Sequence, residues 1–442
     1  FDGGLSLNPA DFKPANDEFK AILQTEEAKQ NVLEIDLTSA GIWDADDSTT
    51  YTYGWYGSVY RQSLYINNEL QTVARWPNGE YYPAVFPDNA KEGVKILFPE
   101  EKATLWSNET NIRAYGYPEK DWDSKFLWNL SLEPGTSLLD VGINFILKQF
   151  IYVFNIACEL DEPGEYYWDV AANKLYYWPV EGFETGKISF SQFKESVIYI
   201  TDTDYVSFDG LTFENLRYRA INAEKSSNAD HVTINNCIFR CIASNPIQLN
   251  GSSNTIIGNE MYNLGSGGIS VQGGNIAKQI SSETIVTNNV IHDWSQVYTV
   301  YNAAITTNGT GFVISHNELY NAPHEAIAFN SGLTTIEYNN IHNVCKETSD
   351  AGAIYSGRRW DWGNNDIRYN YVHDVIDEMH GGRPNGIYLD DSIAFQHVYG
   401  NIVVNVGGVG ITGGGVNNCR IENNVVCLAG VHSFYNNNNG IG

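Results

Sequence analysis

The chain has 442 residues and a formal net charge of −27, with 53 acidic and 26 basic side chains. This length suffices for two domains with a large core, and the charge makes nucleic acid and anionic membrane surfaces poor partners. The sequence contains no run of about 18 apolar residues, so we expect no membrane span, and its six cysteines are too few for a disulfide framework.

The first 189 residues divide into two predicted parts. Residues 1–12 are expected to end a set of N-terminal β-helical coils, and residues 13–189 to form an inserted domain. Runs such as QSLYINNEL and KLYYWPV alternate polar and apolar side chains between turn residues, which is typical of half-buried strands. We therefore predict a β-rich, sandwich-like inserted domain.

From residue 190 onward one short phrase recurs, an Asn followed by a small apolar run. Successive copies are 23, 30, 28, 22, 31, 31 and 23 residues apart. The apolar residues alternate over a few positions instead of recurring at helical spacing. A fixed strand with gaps of variable length indicates a solenoid of β-coils. The phrase begins at Asn236, Asn259, Asn289, Asn317, Asn339, Asn370, Asn401 and Asn424.

An Asn at the same corner of every coil can stack into a ladder of side-chain hydrogen bonds. The sequence therefore predicts an all-β protein, a right-handed parallel β-helix over residues 190–442 with the sandwich-like domain inserted before it. The chain stops at NNNNGIG, straight after a coil and without an amphipathic cap. Further coils beyond this point, or end-to-end self-association, are expected because an uncapped solenoid exposes apolar surface.

A second strand aligns among the phrases EAIAF, DAGAIY and NGIYL. If the Ile of each phrase faces inward, strand alternation turns the following residue outward. This places Ala328, Tyr355 and Tyr388 in one outer row. Together with Trp360, the tyrosines are expected to form an aromatic surface suited to sugar rings.

Several segments in this order resemble secreted right-handed β-helix carbohydrate-active enzymes: ARWPN (74–78), LDEPGEYYWD (160–169), KLYYWP (174–179), APHEAIAF (322–329), ETSDAGAIYSGRRW (347–360), IRYNYVHD (367–374) and GIYLDD (386–391). The closest likeness is to glycoside hydrolase family 141 and its relatives, which include α-L-fucosidases and xylanases. It implies a secreted, extracellular or cell-surface glycoside hydrolase. Such an enzyme cleaves a plant, algal or microbial polysaccharide, or its side chains, with a carboxylate pair.

In that family two Asp residues are the suspected catalytic pair. They match Asp350 in SDAGAIY and either Asp390 or Asp391 in YLDD. One departure concerns the segment GRRW (357–360), where relatives often read GRDW. A cation in place of a carboxylate beside the site could change the substrate or mark lost catalysis.

Glycoside hydrolysis needs a protonated carboxyl and a carboxylate separated by about 5 Å for retention or about 6.5–9.5 Å for inversion. A straight-strand alignment pairs Asp391 with Arg358 and Asp350 with Arg383, and sets Asp350 about 23–28 Å from Asp391. Either a corner folds Asp350 back into the groove, or another acid is the partner. The alternatives on neighbouring coils are Glu325, Asp361, Asp377 and Glu378.

The expected ligand is a polysaccharide or oligosaccharide, and no metal or redox cofactor is expected in the reaction, although a structural Ca²⁺ stays open. The residues predicted to bind substrate are His324, Glu325, Tyr355, Arg358, Arg359, Trp360, Arg383 and Tyr388.

Two alternatives stay open at this point. A polysaccharide lyase would use a cation to neutralise a uronate and a base to take the C5 proton, and the arginines near the site suit that chemistry. A non-catalytic surface or filament-forming β-helix would explain the GRRW departure and the uncapped end.

Overall fold

The computed structural model describes residues 1–42, 61–109, 112–224 and 227–437. Part of the predicted inserted domain, at 43–60, and the predicted end of the solenoid, at 438–442, lie outside the described residues. Contacts divide the described chain into one compact unit of residues 1–3 and 193–437 and another of residues 4–42 and 61–192. The boundaries predicted after residues 12 and 189 stay predictions.

The larger unit is a solenoid in which each coil adds one strand to each of three parallel sheets, called here the first, second and third faces. The first face contains Ile198–Tyr199, Ile221–Asn222, Ile247–Asn250, Ile269–Gly273, Ile305–Thr310, Ile327–Gly332, Gly352–Ser356, Asn385–Leu389, Ile411–Gly414 and Phe434–Asn437. The second face contains Ser207–Asp209, Thr233–Asn235, Thr255–Ile257, Thr284–Thr287, Phe312–Ser315, Thr335–Glu337, Asn365–Arg368, Gln396–Tyr399 and Arg420–Glu422. The third face contains Thr212–Leu216, Ile238–Ile242, Glu260–Leu264, Val290–His292, Glu318–Tyr320, Asn340–Val344, Tyr371–Val375, Ile402–Val406 and Val425–Ala429. The predicted all-β class with a parallel β-helix is confirmed.

The interior of the solenoid consists of stacked apolar side chains, most of them aliphatic. On the first face each inward Ile lies directly against the Ile of the next coil, as Ile327 does against Ile354 and Ile354 against Ile387. Alternation along the strands turns the neighbouring residues outward. The register of the core therefore also fixes the register of the outer surface.

The predicted Asn ladder is present and buried at the corner between the second and third faces. Each Asn amide donates to the carboxamide oxygen of the next, as between Asn317 and Asn339 at 2.9 Å. The residue before each ladder Asn has a positive φ, for example His316 at 54°, which makes the sharp turn. All six predicted members from Asn259 to Asn401 are stacked, and Asn424 extends the ladder.

One predicted position is wrong by one residue. Because Ile238 pairs with Glu260, the partner of Asn259 in the preceding coil is Cys237, whose backbone N–H donates to Asn259 Oδ1 at 2.9 Å. Asn236 instead has the positive φ, 53°, of the preceding turn residue. Asn serves both positions because it tolerates the left-handed region and also satisfies tight turns.

The smaller unit contains three sheets in its described part. A four-stranded sheet contains Gly4–Leu7, Ile188–Ser191, Leu64–Ile66 and Glu69–Leu70. A seven-stranded sheet contains Arg75–Trp76, Phe150–Phe154, Ile112–Tyr117, Lys125–Leu132, Leu138–Ile146, Glu92–Leu97 and Tyr82–Pro83. A five-stranded sheet contains Lys13–Pro14, Leu33–Asp36, Lys174–Tyr177, Glu165–Asp169 and Thr72–Val73.

The described helices are short. The α-helices are Asp17–Ile22, Glu26–Asn31 and Glu100–Leu105, and the 3₁₀ helices are Pro9–Asp11, Pro87–Asn89, Trp106–Asn108, Ala157–Glu159 and Phe183–Thr185. None of the helices within the described ranges is long and apolar enough to cross a membrane.

Replacement of Asn317 by Ala should destabilise the solenoid. The Asn317 carboxamide accepts from the backbone N–H of Asn289 and donates to the carbonyl of Val286, at 3.0 Å each. Ala leaves these buried groups without partners, at a cost of about 2–4 kcal/mol. Urea denaturation followed by circular dichroism would measure the change in the free energy of unfolding.

The matched control is Asn340→Ala. Asn340 follows a ladder residue directly but points outward, where its side chain makes one 3.5 Å contact with Glu318. Its replacement should change the free energy of unfolding by less than about 0.5 kcal/mol. Equal effects of the two substitutions would contradict a stabilising role for the ladder.

Candidate functional site

The predicted outer row on the first face is confirmed by the strand register. Ala328 lies beside Tyr355, and Tyr355 lies beside Tyr388, at matching positions of consecutive coils. The two tyrosine rings are 5.5 Å apart and nearly perpendicular. Both rings are half-buried and lie on the outer side of the sheet.

The two tyrosine hydroxyls bind the two acids that the sequence singled out. The Tyr355 hydroxyl donates to Asp390 Oδ2 at 2.8 Å, and the Tyr388 hydroxyl donates to Asp350 Oδ1 at 3.1 Å. Because the two rings are in contact, both acids lie beside one pair of tyrosines.

Two glycines lie beside these acids at positions where an added side chain would clash. A side chain on Gly352 would place its Cβ 2.6 Å from Cβ of Tyr388, so the absence of one lets Tyr388 pack against this segment and reach Asp350. A Cβ on Gly357 would lie 2.5 Å from Cβ of Asp390. The two glycines therefore allow consecutive coils to approach closely at Tyr388 and at Asp390.

Burial and the neighbouring acids keep both tyrosines protonated. Burial is the largest cause that raises the pKa of Tyr355, followed by the charge of Asp390. Burial also raises the pKa of Tyr388, followed by the charges of Asp350 and Asp390. A phenol with a raised pKa remains a hydrogen-bond donor at neutral and moderately alkaline pH.

The arginines of the GRRW segment are paired with acids. The Arg358 Nε lies 3.6 Å from Asp390 Oδ2, while the contact with Asp391 is between the Arg358 backbone N–H and the Asp391 carbonyl at 2.6 Å. The expected ion pair of Arg358 with Asp391 is thus with Asp390 instead. Arg359 binds both oxygens of Asp361, at 2.8 and 2.5 Å, and this hydrogen bonding lowers the pKa of Asp361.

The remaining residues predicted to act on or bind the substrate differ in solvent exposure. Trp360 is 73% exposed, and Asp391 and Arg383 are exposed too. His324 is only 1% exposed. Its Nδ1 lies 2.6 Å from Oε2 of the buried Glu325, but without the alignment of a hydrogen bond. His324 is therefore enclosed between Glu325 and the ring of Tyr301, and its role in substrate binding stays a prediction.

Other acids that the sequence left open have structural partners. Asp377 is buried and accepts from three backbone N–H groups of the following loop, those of Met379, His380 and Gly382. Glu378 pairs with Lys346 at 3.1 Å. Within the described ranges, no group of three or more His, Cys, Asp or Glu side chains is arranged to hold a metal ion.

A groove of about 410 Å³ runs along the outer side of the first face. One end contains Glu325, Tyr355 and Arg358, and the other contains Arg219 and Gln248. Sequence reasoning missed this second end. Extending the outer row backward from Ala328 through the strand register would have found Thr306, Ser270 and Gln248, but the coil spacing of that strand is too irregular to align without the structure.

The comparisons with solved structures show a shared fold. A protein described as a glycoside hydrolase is similar over 98% of this chain and 82% of its own, with a TM-score of 0.64 and 13% identity. The complex of XylC with xylose covers 95% of this chain and 58% of its own, with a TM-score of 0.42 and 10% identity. The third structure is the catalytic unit of a thermostable GH87 α-1,3-glucanase from Streptomyces thermodiastaticus. Its alignment covers 99% of this chain and 96% of the glucanase chain, with a TM-score of 0.27 and 10% identity.

No protein-family model matches the sequence, and no curated protein matches it significantly. The first comparison shows that a protein described as a glycoside hydrolase has this fold. The TM-scores of the other two structures are too low to show a shared fold.

Replacement of Gly357 by Ala should disturb Asp390 and destabilise the chain by about 1–3 kcal/mol, because the new methyl group overlaps the Asp390 side chain. The control is Gly407→Ala, where the nearest atom to an added Cβ is Pro384 Cδ at 3.2 Å. Thermal unfolding of both variants measures the difference. A Gly357→Ala variant as stable as the control would contradict the close approach.

Proposed function

We propose that this protein is a glycoside hydrolase in which Asp350 and Asp390 form the catalytic pair. The observation that carries the proposal is the contact between Tyr355 and Tyr388, whose hydroxyls donate to Asp390 and Asp350 on the outer side of the first face. Two-carboxyl hydrolysis requires two such acids on one surface. The fold shared with a known glycoside hydrolase supports the same proposal.

The hydrogen bonds suggest different roles for the two acids. Asp390 receives the Tyr355 hydroxyl and faces Arg358, which is the environment of a carboxylate that acts as base or nucleophile. The exposed Asp350, which accepts from the Tyr388 hydroxyl, is then the acid that gives its proton to the leaving oxygen.

The surroundings of the pair suit a sugar substrate. The Trp360 ring is largely exposed and offers an apolar face on which a sugar ring can stack. The groove continues along the first face from Tyr355 and Arg358, the neighbours of Asp390, which favours a polysaccharide or oligosaccharide over a small glycoside. A polymer cannot cross a membrane, so we also propose that the protein acts outside the cell. Fucosides and xylans are the first substrates to test, given the sequence resemblance.

The arginine contacts favour hydrolysis over lyase chemistry. A lyase would use a cation to neutralise the uronate next to the reacting carbon. Arg358 and Arg359 are each paired with an acid, so their charge is already compensated.

Replacement of Asp350 or Asp390 by Asn should lower kcat by at least about 10²-fold, because each removes one proton-transfer group. The change is nearly isosteric and leaves the core intact, so the melting temperature should remain close to that of the wild type. Release of reducing ends from a panel of plant and algal glycans, with ultraviolet absorbance recorded for unsaturated products, measures the activity.

Asp391→Asn is the matched control for these variants. Asp391 is adjacent in sequence to Asp390 and is exposed, but the Tyr355 hydroxyl bonds to Asp390. The Asp391 variant should retain most of the activity. Full activity in both the Asp350 and Asp390 variants would refute the pair, and unsaturated products would identify a lyase.

Tyr388→Phe should lower kcat by about tenfold with little change in KM, since it removes one hydrogen bond of about 1.4 kcal/mol from the pair. Steady-state kinetics on the substrate found in the panel would measure both constants. A rise in KM alone would show that Tyr388 contacts the substrate and not the acids.

A further inference from the structure

The groove on the first face begins at Tyr355 and Arg358, the neighbours of Asp390, and extends away from them. Its lining reaches from Arg358 to Arg219 without interruption. The strands between these ends belong to consecutive coils, and five steps of about 4.8 Å give a length of about 24 Å. A groove of this length can hold several linked sugar units along the solenoid axis.

The outer row along this groove carries small polar side chains. Gln248, Ser270 and Thr306 occupy matching positions of consecutive coils. Asn308 and Asn330 form a parallel row two residues further along the strands. Within the described part of the chain, the side chains of Gln248, Asn308 and Asn330 have no protein hydrogen-bond partner. Amides that face a groove in this way can bind sugar hydroxyls.

Arg219 closes the far end of the groove. Its Nε donates to Asn245 Oδ1 at 3.2 Å, and its guanidinium lies 4.5 Å from the centre of the Tyr218 ring and donates to the Tyr218 hydroxyl. Asn245 is held in turn by its own bond to the Ile247 carbonyl at 3.1 Å. No acidic side chain pairs with Arg219 among the residues that the structure describes.

An oriented arginine without a carboxylate partner is notable in a chain with 53 acidic side chains. Neutral partners position the guanidinium but leave its charge uncompensated. Arginine recognises carboxylates by paired hydrogen bonds in a fixed plane. A ligand carboxylate would complete the site.

We propose that Arg219 binds an acidic sugar, a uronate, on a glycan chain that lies in the groove, with its scissile bond at Asp350 and Asp390. The proposal rests on the proposed function for the position of that bond, but the binding at Arg219 does not depend on catalysis. The polar rows hold neutral sugar units between the two ends. The substrate is therefore a mainly neutral chain with an acidic substituent several units from the cleaved bond.

A glycan array tests this directly with the full chain carrying Asp390→Asn, which removes turnover. The array should contain neutral oligosaccharides, the same chains with one uronic acid, the methyl esters of the latter, and sulfated analogues. We expect the uronate-bearing chains to bind about tenfold more tightly than their esters, and the preference to weaken as salt is raised.

Arg219→Gln retains an N–H donor but removes the positive charge. It should abolish the preference for uronate-bearing chains over their esters, while neutral chains still bind. Arg420→Gln is the control, because Arg420 is an exposed arginine paired with Glu422 on the second face. This control lowers the net charge equally and should keep the preference.

A preference that survives Arg219→Gln, equal binding of acids and esters, or no binding of any glycan would overturn the proposal. A preference for sulfated chains would overturn the uronate assignment. If the wild-type protein hydrolyses no glycan but the array still shows the preference for uronates, the proposed function fails and the binding at Arg219 stands.

Discussion

The site depends on the register between consecutive coils. Parallel strands about 4.8 Å apart bring equivalent positions into contact, so residues distant in sequence become neighbours only if every coil starts at the same point. The buried ladder of Asn side chains fixes that point at one corner. A shift of one residue would turn the outer row inward and separate Tyr355 and Tyr388 from the acids that they bind.

The recurring Asn phrase made the fold predictable from the sequence. The prediction failed at one position of the ladder. Ladder residues such as Asn317 and Asn339 lie before the same apolar run in each coil, so the sequence alone aligns one coil with the next. Asn236 fails because Asn suits the turn position as well as the ladder position, and a single sequence does not distinguish them. The coil at Cys237 shows that the ladder tolerates a residue that contributes only its backbone.

The outer row beside the candidate site could be predicted from the sequence, but the contacts between its side chains could not. A straight strand is a good approximation for the core, where Ile354 meets Ile387, but it breaks down where Gly352 lets Tyr388 approach closely. No sequence pattern indicates which way a long tyrosine side chain leans. The same limit applies to His324, because the motif that contains it also contains the groove residue Glu325, and the structure is needed to tell which of the two faces outward.

The electrostatics of the groove differ from those of the whole molecule. The net charge of −27 repels a polyanion at long range, but salt screens that repulsion beyond about 8–10 Å. Inside the groove the second arginine of GRRW is bound to Asp361 and the first faces Asp390, so the departure from GRDW adds little uncompensated charge beside the acids. Among the described residues that line the groove, Arg219 is the arginine without an acidic partner. The proposed uronate would be attracted to it at short range, where this attraction exceeds the screened repulsion by the whole molecule.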